Sequence, residues 1–338
     1  MPKTTTSVQD IETTGRFHLP DTYQAHKRHS CEREWLAIER LYLQFPGNSS
    51  QSRAFRFREC RTWSWFARNI ETGLVRVASS NCKLRWCPLC ASAKANYISR
   101  NCEAWLKSHK QPKMLTLTLK HSSAPLKFQI DNLYESFRKL RKSKLLKEKV
   151  AGGIWFFQLK KSKSDSLWHP HLHCLISSEY LPQQLLSKLW YKITLTSNVV
   201  DIRSIKDNES ASKEVARYCA RPCKMSDLSE PDRGIVFEAF HGRRISGTWG
   251  NGSECKLSVK SDFDETQWEY LATWKTIQEN VSFDDRAKAI LHAYKNNTIL
   301  APGIHFRGIE NKDQQVREAG IYDKEIEFML NRHDWDPW

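Results

Sequence analysis

Long apolar runs, an export signal and internal repeats are all lacking in this sequence of 338 residues. No stretch approaches the roughly 18 consecutive apolar residues that a membrane-spanning helix needs. The first ten residues, MPKTTTSVQD, contain no apolar segment of the kind that directs secretion. With 40% hydrophobic residues to build its cores, we therefore expect a globular cytoplasmic protein without membrane contact.

Basic residues outnumber acidic ones, and the excess is confined to the first three quarters of the chain. The sequence has 53 Lys and Arg residues against 38 Asp and Glu residues, a net charge of +15. Residues 261–338 carry 9 basic and 15 acidic residues, so residues 1–260 carry a charge of +21. A basic soluble protein without a polyanionic partner is the alternative. Such segregation favours nucleic acid as the partner of residues 1–260.

Three of the ten cysteines lie close together in the segment NCKLRWCPLC. These three are Cys82, Cys87 and Cys90. Since no export signal is present, we expect a reducing compartment, in which clustered cysteines more often bind a metal than form disulfides. We choose Cys60 as the fourth ligand of a structural zinc site, with Cys31 and Cys102 as competitors. Three unrelated thiols are the alternative.

No low-complexity linker separates domains, so their boundaries are predicted from shifts in pattern. Residues 1–110 form a basic region with the cysteine cluster, residues 111–255 alternate strand and helix signals, and residues 256–338 are acidic and mainly helical. Gly152 and Gly153 are predicted to separate the helix that ends near residue 147 from the strand that follows.

Alternation and helical periodicity predict four strands and three helices in the middle region. The strands are predicted at residues 113–120, 154–160, 171–177 and 199–205, and the helices at residues 126–147, 181–192 and 210–220. The order βαββαβ, followed by a helix, is the split βαβ arrangement of ferredoxin-like folds. We therefore predict an α+β protein whose antiparallel sheet has helices on one face.

Two histidines share one face of the third predicted strand, because His171 and His173 are two residues apart. The residues on the other face, Leu172, Cys174 and Ile176, would lie under the helices, which leaves the imidazoles on the open face. A hairpin would bring Gln158 of the preceding strand beside them. Two imidazoles and one carbonyl oxygen suit Mg²⁺ or Mn²⁺ bound jointly with a phosphate. The alternatives are ordinary polar strand residues and a solvent-facing glutamine.

A polar helix face is predicted in the segment KEVARYCARPCK, where Glu214, Tyr218 and Arg221 are spaced by four and three residues. A tyrosine is a suitable nucleophile towards a phosphodiester because the phosphotyrosine conserves the energy of the bond. A buried core tyrosine is the alternative.

Candidate DNA contacts are cations near these motifs and one tryptophan. They are Arg138, Lys139, Arg141 and Lys142 on the exposed side of the long helix, Arg221 and Lys224 after the tyrosine, and Trp168 in the loop beside the histidines. Cations can follow the phosphate backbone and a tryptophan can stack on an unpaired base. A merely solvated basic helix and a core tryptophan are the alternatives.

The segments KMLTLTLKHS, HPHLHCLIS and KEVARYC, in this order and at these separations, resemble the three motifs of single-tyrosine HUH-endonuclease Rep proteins of rolling-circle plasmids. The resemblance extends over about residues 80–250, since RWCPLCASAKA and AFHGRRISGTWG also resemble segments of that family. It implies His171 and His173 as metal ligands, Tyr218 as nucleophile and Glu214 as the residue that activates water in the terminating cleavage.

A protein of this kind would nick single-stranded or hairpin origin DNA, keep the 5′ end on Tyr218 and release a 3′-hydroxyl primer. Host helicase and polymerase would be further partners. Many relatives carry glutamate in the strand before the histidines, whereas this chain has Gln158, so the third ligand departs from the pattern. A HUH transposase or relaxase, and a non-enzymatic zinc-containing regulator that binds nucleic acid, are the competing hypotheses.

Overall fold

The computed structural model describes residues 31–45, 47, 52–162, 164–212, 221–258 and 267–306. The chain divides into two compact units. One unit joins residues 45–83 to the acidic C-terminal part, and the other contains residues 33–44 and 84–260. None of the helices in the described ranges combines the length and the apolar character that crossing a membrane requires.

The helices and strands of the described residues are numbered here in chain order. The helices are α1 (Glu32–Gln44), α2 (Arg53–Arg58), α3 (Pro88–Lys107), α4 (Leu126–Lys142), α5 (Lys144–Lys149), α6 (Gln183–Thr194), α7 (Glu230–Ala239), α8 (Trp274–Asn280) and α9 (Asp285–Asn296). The strands are β1 (Ser64–Asn69), β2 (Val75–Ser79), β3 (Pro112–Thr118), β4 (Val150–Lys161), β5 (Trp168–Ser178), β6 (Val200–Ser204), β7 (Ser246–Gly250) and β8 (Trp268–Thr273).

The first unit is built on a three-stranded antiparallel sheet in the order β2-β1-β8. Phe66 of β1 stacks on Trp274 of α8, with ring centroids 5.5 Å apart. Arg68 and Glu269 bridge β1 and β8 at 2.9 Å. Because β8 pairs with β1 across the sequence, this division differs from the boundaries predicted at residues 110 and 255.

The second unit is built on a five-stranded sheet in the order β6-β3-β5-β4-β7, in which all neighbouring strands are antiparallel. The element order β3, α4, β4, β5, α6, β6 matches the predicted βαββαβ order. In this split βαβ arrangement β5 lies between β3 and β4. The class prediction, α+β with an antiparallel sheet, is thus confirmed, and β7 is an additional strand at the edge.

Helices cover both faces of this sheet, whereas helices on one face were predicted. Tyr134 of α4 packs edge-on against Trp155 and Phe157 of β4, with centroids 5.5 and 5.7 Å apart. On the opposite face, α3 residues such as Ile98 share a core with Phe156. The near-continuous apolar run IWFF of β4 is typical of a strand that is buried on both sides.

Gly152 and Gly153 lie inside β4. They were predicted to separate a helix from the next strand, but the strand already begins before them. Here the chain that follows β7 comes very close to β4: a Cβ atom on Gly252 would lie 2.0 Å from the carbonyl oxygen of Gly153. A Cβ atom on Gly153 would meet the carbonyl oxygen of Leu175 at 2.4 Å. These positions are glycine because the backbones of three segments meet there.

Candidate metal centre

Three neighbouring strands bring polar side chains together on one face of the five-stranded sheet. In the strand register, His173 lies opposite Thr116 of β3 and Phe156 of β4, and His171 lies opposite Thr118 and Gln158. Side chains opposite one another in a sheet point to the same face. We call the surface formed by Thr116, Thr118, Gln158, His171 and His173 the histidine face.

Each imidazole is held by a threonine hydroxyl. Thr118 Oγ1 lies 2.9 Å from His171 Nδ1, and Thr116 Oγ1 lies 3.2 Å from His173 Nδ1. These hydrogen bonds orient the rings so that the Nε2 atoms are left for other partners, as in metal sites where a second group fixes the ligating histidine.

Gln158 is buried, and its Oε1 atom lies 2.8 Å from His173 Nε2. Two neighbouring ligands, each about 2.1 Å from an octahedral ion, are about 3 Å apart. The separation of these two atoms therefore fits two ligands of one ion. The predicted proximity of Gln158 to the histidines is confirmed by this contact, while its role as a ligand stays a prediction.

Burial keeps the two imidazoles neutral. Burial, followed by the charges of the nearby His173 and Lys160, lowers the pKa of His171 to about 4. Burial, followed by the charge of Lys160, also lowers the pKa of His173 to about 4. A lowered pKa means that the neutral form, which binds metals, is the form present at neutral pH.

The predicted nucleophile Tyr218 and its neighbour Glu214 lie outside the described residues, in the range 213–220. The described chain on either side of this range is fixed beside β4. Ala211 shares a core with Phe156, and Leu159 N donates to Pro222 O at 2.8 Å. The residues that flank the range are therefore anchored next to the strand that contains Gln158.

Arg221 is held in an ion pair, although it was predicted as a DNA contact. Its Nη1 atom lies 2.7 Å from Glu34 Oε1, and both side chains are largely buried. Glu34 also accepts hydrogen bonds from the backbone N–H groups of Met225 and Ser226, at 3.0 and 2.7 Å. This pairing fixes the chain after residue 220. Lys224 is exposed to solvent.

The basic end of α4 lies on the sheet face opposite the histidine face, because α4 packs on Trp155 and Phe157. Arg138 and Lys139 both pair with Glu135, at 2.7 and 3.9 Å. The predicted contacts of these cations with DNA, and that of the exposed Lys142, stay predictions. They would lie away from the histidines.

Arg141 packs against aromatic side chains, whereas it was predicted to lie on the exposed side of the long helix. Its guanidinium lies 4.8 Å from the ring centre of Phe137 and 5.7 Å from that of Trp249. Burial lowers the pKa of Arg141. Since Trp249 pairs with Gly153, and β4 rises about 3.3 Å per residue, Arg141 lies several strand positions from Gln158.

Trp168 was placed in the loop before the histidines, and this placement was wrong. It is the first residue of β5. Its side chain is 9% exposed, and the Lys161 ammonium lies 5.0 Å from the ring centre. Because Trp168 and His171 are an odd number of residues apart, they point to opposite faces of the sheet. Stacking of Trp168 on a base therefore stays a prediction without support from its exposure.

The four cysteines predicted to form a cluster are together. The Sγ atoms of Cys60, Cys82, Cys87 and Cys90 all lie within 4.8 Å of one another, which suits a tetrahedral ion. Cys102, a predicted competitor, instead lies 3.8 Å from Cys255 Sγ. None of the described cysteines forms a disulfide. Cys60 therefore lies with the other three thiols, and its role as the fourth ligand stays a prediction.

Sequence reasoning missed several residues around the histidines. Thr116 and Thr118 hold the imidazoles, and their alternation in KMLTLTLK is the signal that could have shown it. His169 extends the alternation of His171 and His173 by one step, with ring centroids of His169 and His171 6.4 Å apart. Lys160 lies opposite His169 in the register.

Comparison with known proteins supplies the family context of this site. A family model described as replication protein, Rep_1, matches residues 74–298. The chain is 28% identical over 189 residues to the protein rep of a Bacillus sp, with 51% of this chain and 62% of that protein covered. The match thus spans less than two thirds of that relative.

Two further relatives have the same description. The protein rep of Bacillus amyloliquefaciens is 30% identical over 239 residues, which cover 59% of this chain and 70% of that protein. The protein rep of Streptococcus pneumoniae is 24% identical over 228 residues, which cover 61% of this chain and 71% of that protein. No solved structure matches the chain.

Proposed function

The chain belongs to the Rep_1 family of replication proteins, and from this premise we propose that it initiates plasmid replication by nicking one strand of origin DNA. The observation that carries this proposal is the histidine face. Two neutral imidazoles and a buried amide oxygen converge there, with His173 Nε2 and Gln158 Oε1 2.8 Å apart. The resemblance of the motifs to HUH endonucleases adds the nucleophile, Tyr218.

In the proposed site, His171, His173 and Gln158 hold Mg²⁺ or Mn²⁺. When bound, such an ion withdraws charge from the oxygens of the scissile phosphate. The three protein ligands are neutral, so they would leave the double positive charge of a bound ion uncompensated. Thr116 and Thr118 keep the imidazoles oriented, and burial keeps them unprotonated.

The proposed reaction is a transesterification. The Tyr218 hydroxyl oxygen attacks phosphorus, so the bond from tyrosine oxygen to phosphorus forms as the bond from phosphorus to the 3′ oxygen breaks. The proton that Tyr218 loses is matched by the proton that the leaving 3′ oxygen takes up. The products are a 5′-phosphotyrosine and a free 3′-hydroxyl, from which a polymerase can extend.

Incubating the protein with single-stranded origin DNA and Mn²⁺ tests this function. We expect a protein–DNA adduct that survives denaturation, because the link through Tyr218 is covalent. Chelation of the divalent ion before mixing is the control and should prevent the adduct. Binding without an adduct under all metal conditions would instead support the non-enzymatic regulator.

We assign Glu214 to the terminating step. It lies four residues before Tyr218, and as a general base it would orient and deprotonate a water. Glu214→Ala is therefore expected to form the Tyr218 adduct at a rate within about threefold of the wild type, while terminating cleavage falls about 10²-fold or more. Both steps are measured on one oligonucleotide at one metal concentration.

Glu209→Ala, in the helical stretch at residues 208–212, is the matched control for Glu214→Ala. It should leave both steps unchanged. If Glu214→Ala were as inactive in adduct formation as Tyr218→Phe, with an intact circular dichroism spectrum, the separation of the two roles would be wrong.

We propose zinc as the ion of the cysteine cluster, since four thiolates within reach of one another suit a closed tetrahedral site. The purified protein is expected to hold about one zinc per chain, and Cys60→Ser is expected to lose it. Cys102→Ser, which removes a buried thiol outside the cluster, should retain the zinc. Metal analysis of the three proteins decides; thiols found oxidised in pairs would rule the zinc site out.

A further inference from the structure

A second group of metal-binding side chains lies at the end of the histidine face. One ligand atom from each of His121, Asp165 and His169 lies within 4.8 Å of the others. His121 Nε2 is 3.7 Å from Asp165 Oδ2, and the rings of His121 and His169 have centroids 4.5 Å apart. Two imidazoles and a carboxylate are thus gathered within the reach of one ion.

The backbone brings these residues together from three places in the sequence. His121 follows β3, where a bridge between Ser122 and Trp168 holds the turn against the first residue of β5. His169 is the second residue of β5. Asp165 lies in the connection between β4 and β5, which is closed by a hydrogen bond from Ser162 N to Leu167 O at 2.9 Å. The convergence is therefore built by the sheet and its loops.

Two of the potential ligand atoms, Asp165 Oδ2 and His169 Nε2, are positioned to bind a further group. Asp165 Oδ1 accepts a hydrogen bond from Leu167 N at 3.0 Å, which leaves Oδ2 on the side of His121. His169 Nε2 is buried and has no hydrogen-bond partner among the described residues. A buried nitrogen in this position is unfavourable unless another group satisfies it, and a metal ion does so.

From this geometry we propose that His121, Asp165 and His169 form a second metal site, distinct from that of His171, His173 and Gln158. Imidazole and carboxylate ligands in a set of three suit a divalent transition ion such as Zn²⁺, Mn²⁺ or Co²⁺, with positions left open for water or a phosphate oxygen. Lys160 lies opposite His169 in the register but is exposed. Its long side chain can turn its ammonium towards solvent.

Cobalt titration of the full-length protein, with the zinc of the cysteine cluster in place, tests this site. Bound Co²⁺ is counted by equilibrium dialysis and followed by its visible absorption. Relative to the wild type, His121→Ala and Asp165→Asn are each expected to lose one cobalt equivalent, or to bind it at least about tenfold more weakly. His171→Ala should lose a different equivalent, so His121→Ala combined with His171→Ala should lose both.

His292→Ala is the matched control, because His292 is an exposed histidine of α9 and far from these residues in sequence. It should bind as much cobalt as the wild type. The proposal is overturned if His121→Ala and Asp165→Asn both behave like His292→Ala. No step of this experiment depends on DNA cleavage, so its failure would leave the proposed nicking activity to be decided by the adduct assay.

Discussion

Tyr218→Phe is expected to lower strand cleavage and adduct formation by about 10⁴-fold or more, while its affinity for origin DNA stays within about twofold of the wild type. Phenylalanine keeps the aromatic ring but lacks the oxygen that attacks phosphorus. We expect the affinity to come from phosphate contacts of the strongly basic residues 1–260, to which a single phenol contributes little. Gel analysis of denatured reactions measures the adduct, and fluorescence anisotropy measures binding.

The salt dependence of DNA binding and a control substitution at another tyrosine complete this experiment. Binding by both proteins should weaken by about 10³-fold between roughly 50 and 200 mM salt, since counterions compete for the phosphates. Tyr180→Phe is the control because Tyr180 is 77% exposed and follows β5; it should keep full cleavage. Loss of binding in Tyr218→Phe would show a structural role for this residue and remove the main support for the mechanism.

His171→Ala and His173→Ala are each expected to lower both the first nick and the terminating cleavage by about 10³-fold or more. Both steps need charge on the phosphate to be stabilised, and both imidazoles belong to the proposed ligand set. Removing the hydroxyl that holds an imidazole should have a smaller effect. Thr118→Val is therefore expected to lose about 10- to 100-fold, with partial recovery at higher Mn²⁺.

His292→Ala controls for loss of an exposed histidine in this comparison as well and should cleave normally. Each variant is assayed across a range of Mn²⁺ concentrations, with DNA binding recorded in parallel. If His171→Ala and His173→Ala formed the adduct at the wild-type rate, the histidine face would not be the catalytic metal centre.

Local patterns predicted the second unit well because its elements have clear periodicities. The alternation in KMLTLTLK gave β3, and the helical spacing of Leu133, Phe137 and Leu140 gave α4. The predicted helix was too long, since it continued to residue 147. The helix ends before Ser143. The Ser143 side chain accepts a hydrogen bond from Leu146 N and so caps the N-terminus of a second helix, α5. A serine cap within a basic run does not disturb the apolar periodicity.

Non-local pairing explains what the sequence did not reveal. Strand β8 pairs with β1 about 200 positions away in the chain, so no local pattern joins the N-terminal and C-terminal regions into one core. The parity argument put His171 and His173 on one face of the sheet, and the register of β4 and β5 brings Gln158 opposite His171. His121 and Asp165 lie in loops, where position depends on tertiary contacts. The roles of Glu214 and Tyr218 stay predictions.

The two edge strands of the five-stranded sheet determine whether two molecules can pair through their sheet edges. β6 and β7 stand at the ends of the strand order, and each has five residues. Asp201 and Arg203 pair at 2.5 Å along β6, and β7 ends at Gly250, whose φ of 54° turns the chain away. An incoming strand from another copy would find few backbone groups to pair with and charges in its path. The sheet is therefore protected against edge-to-edge aggregation.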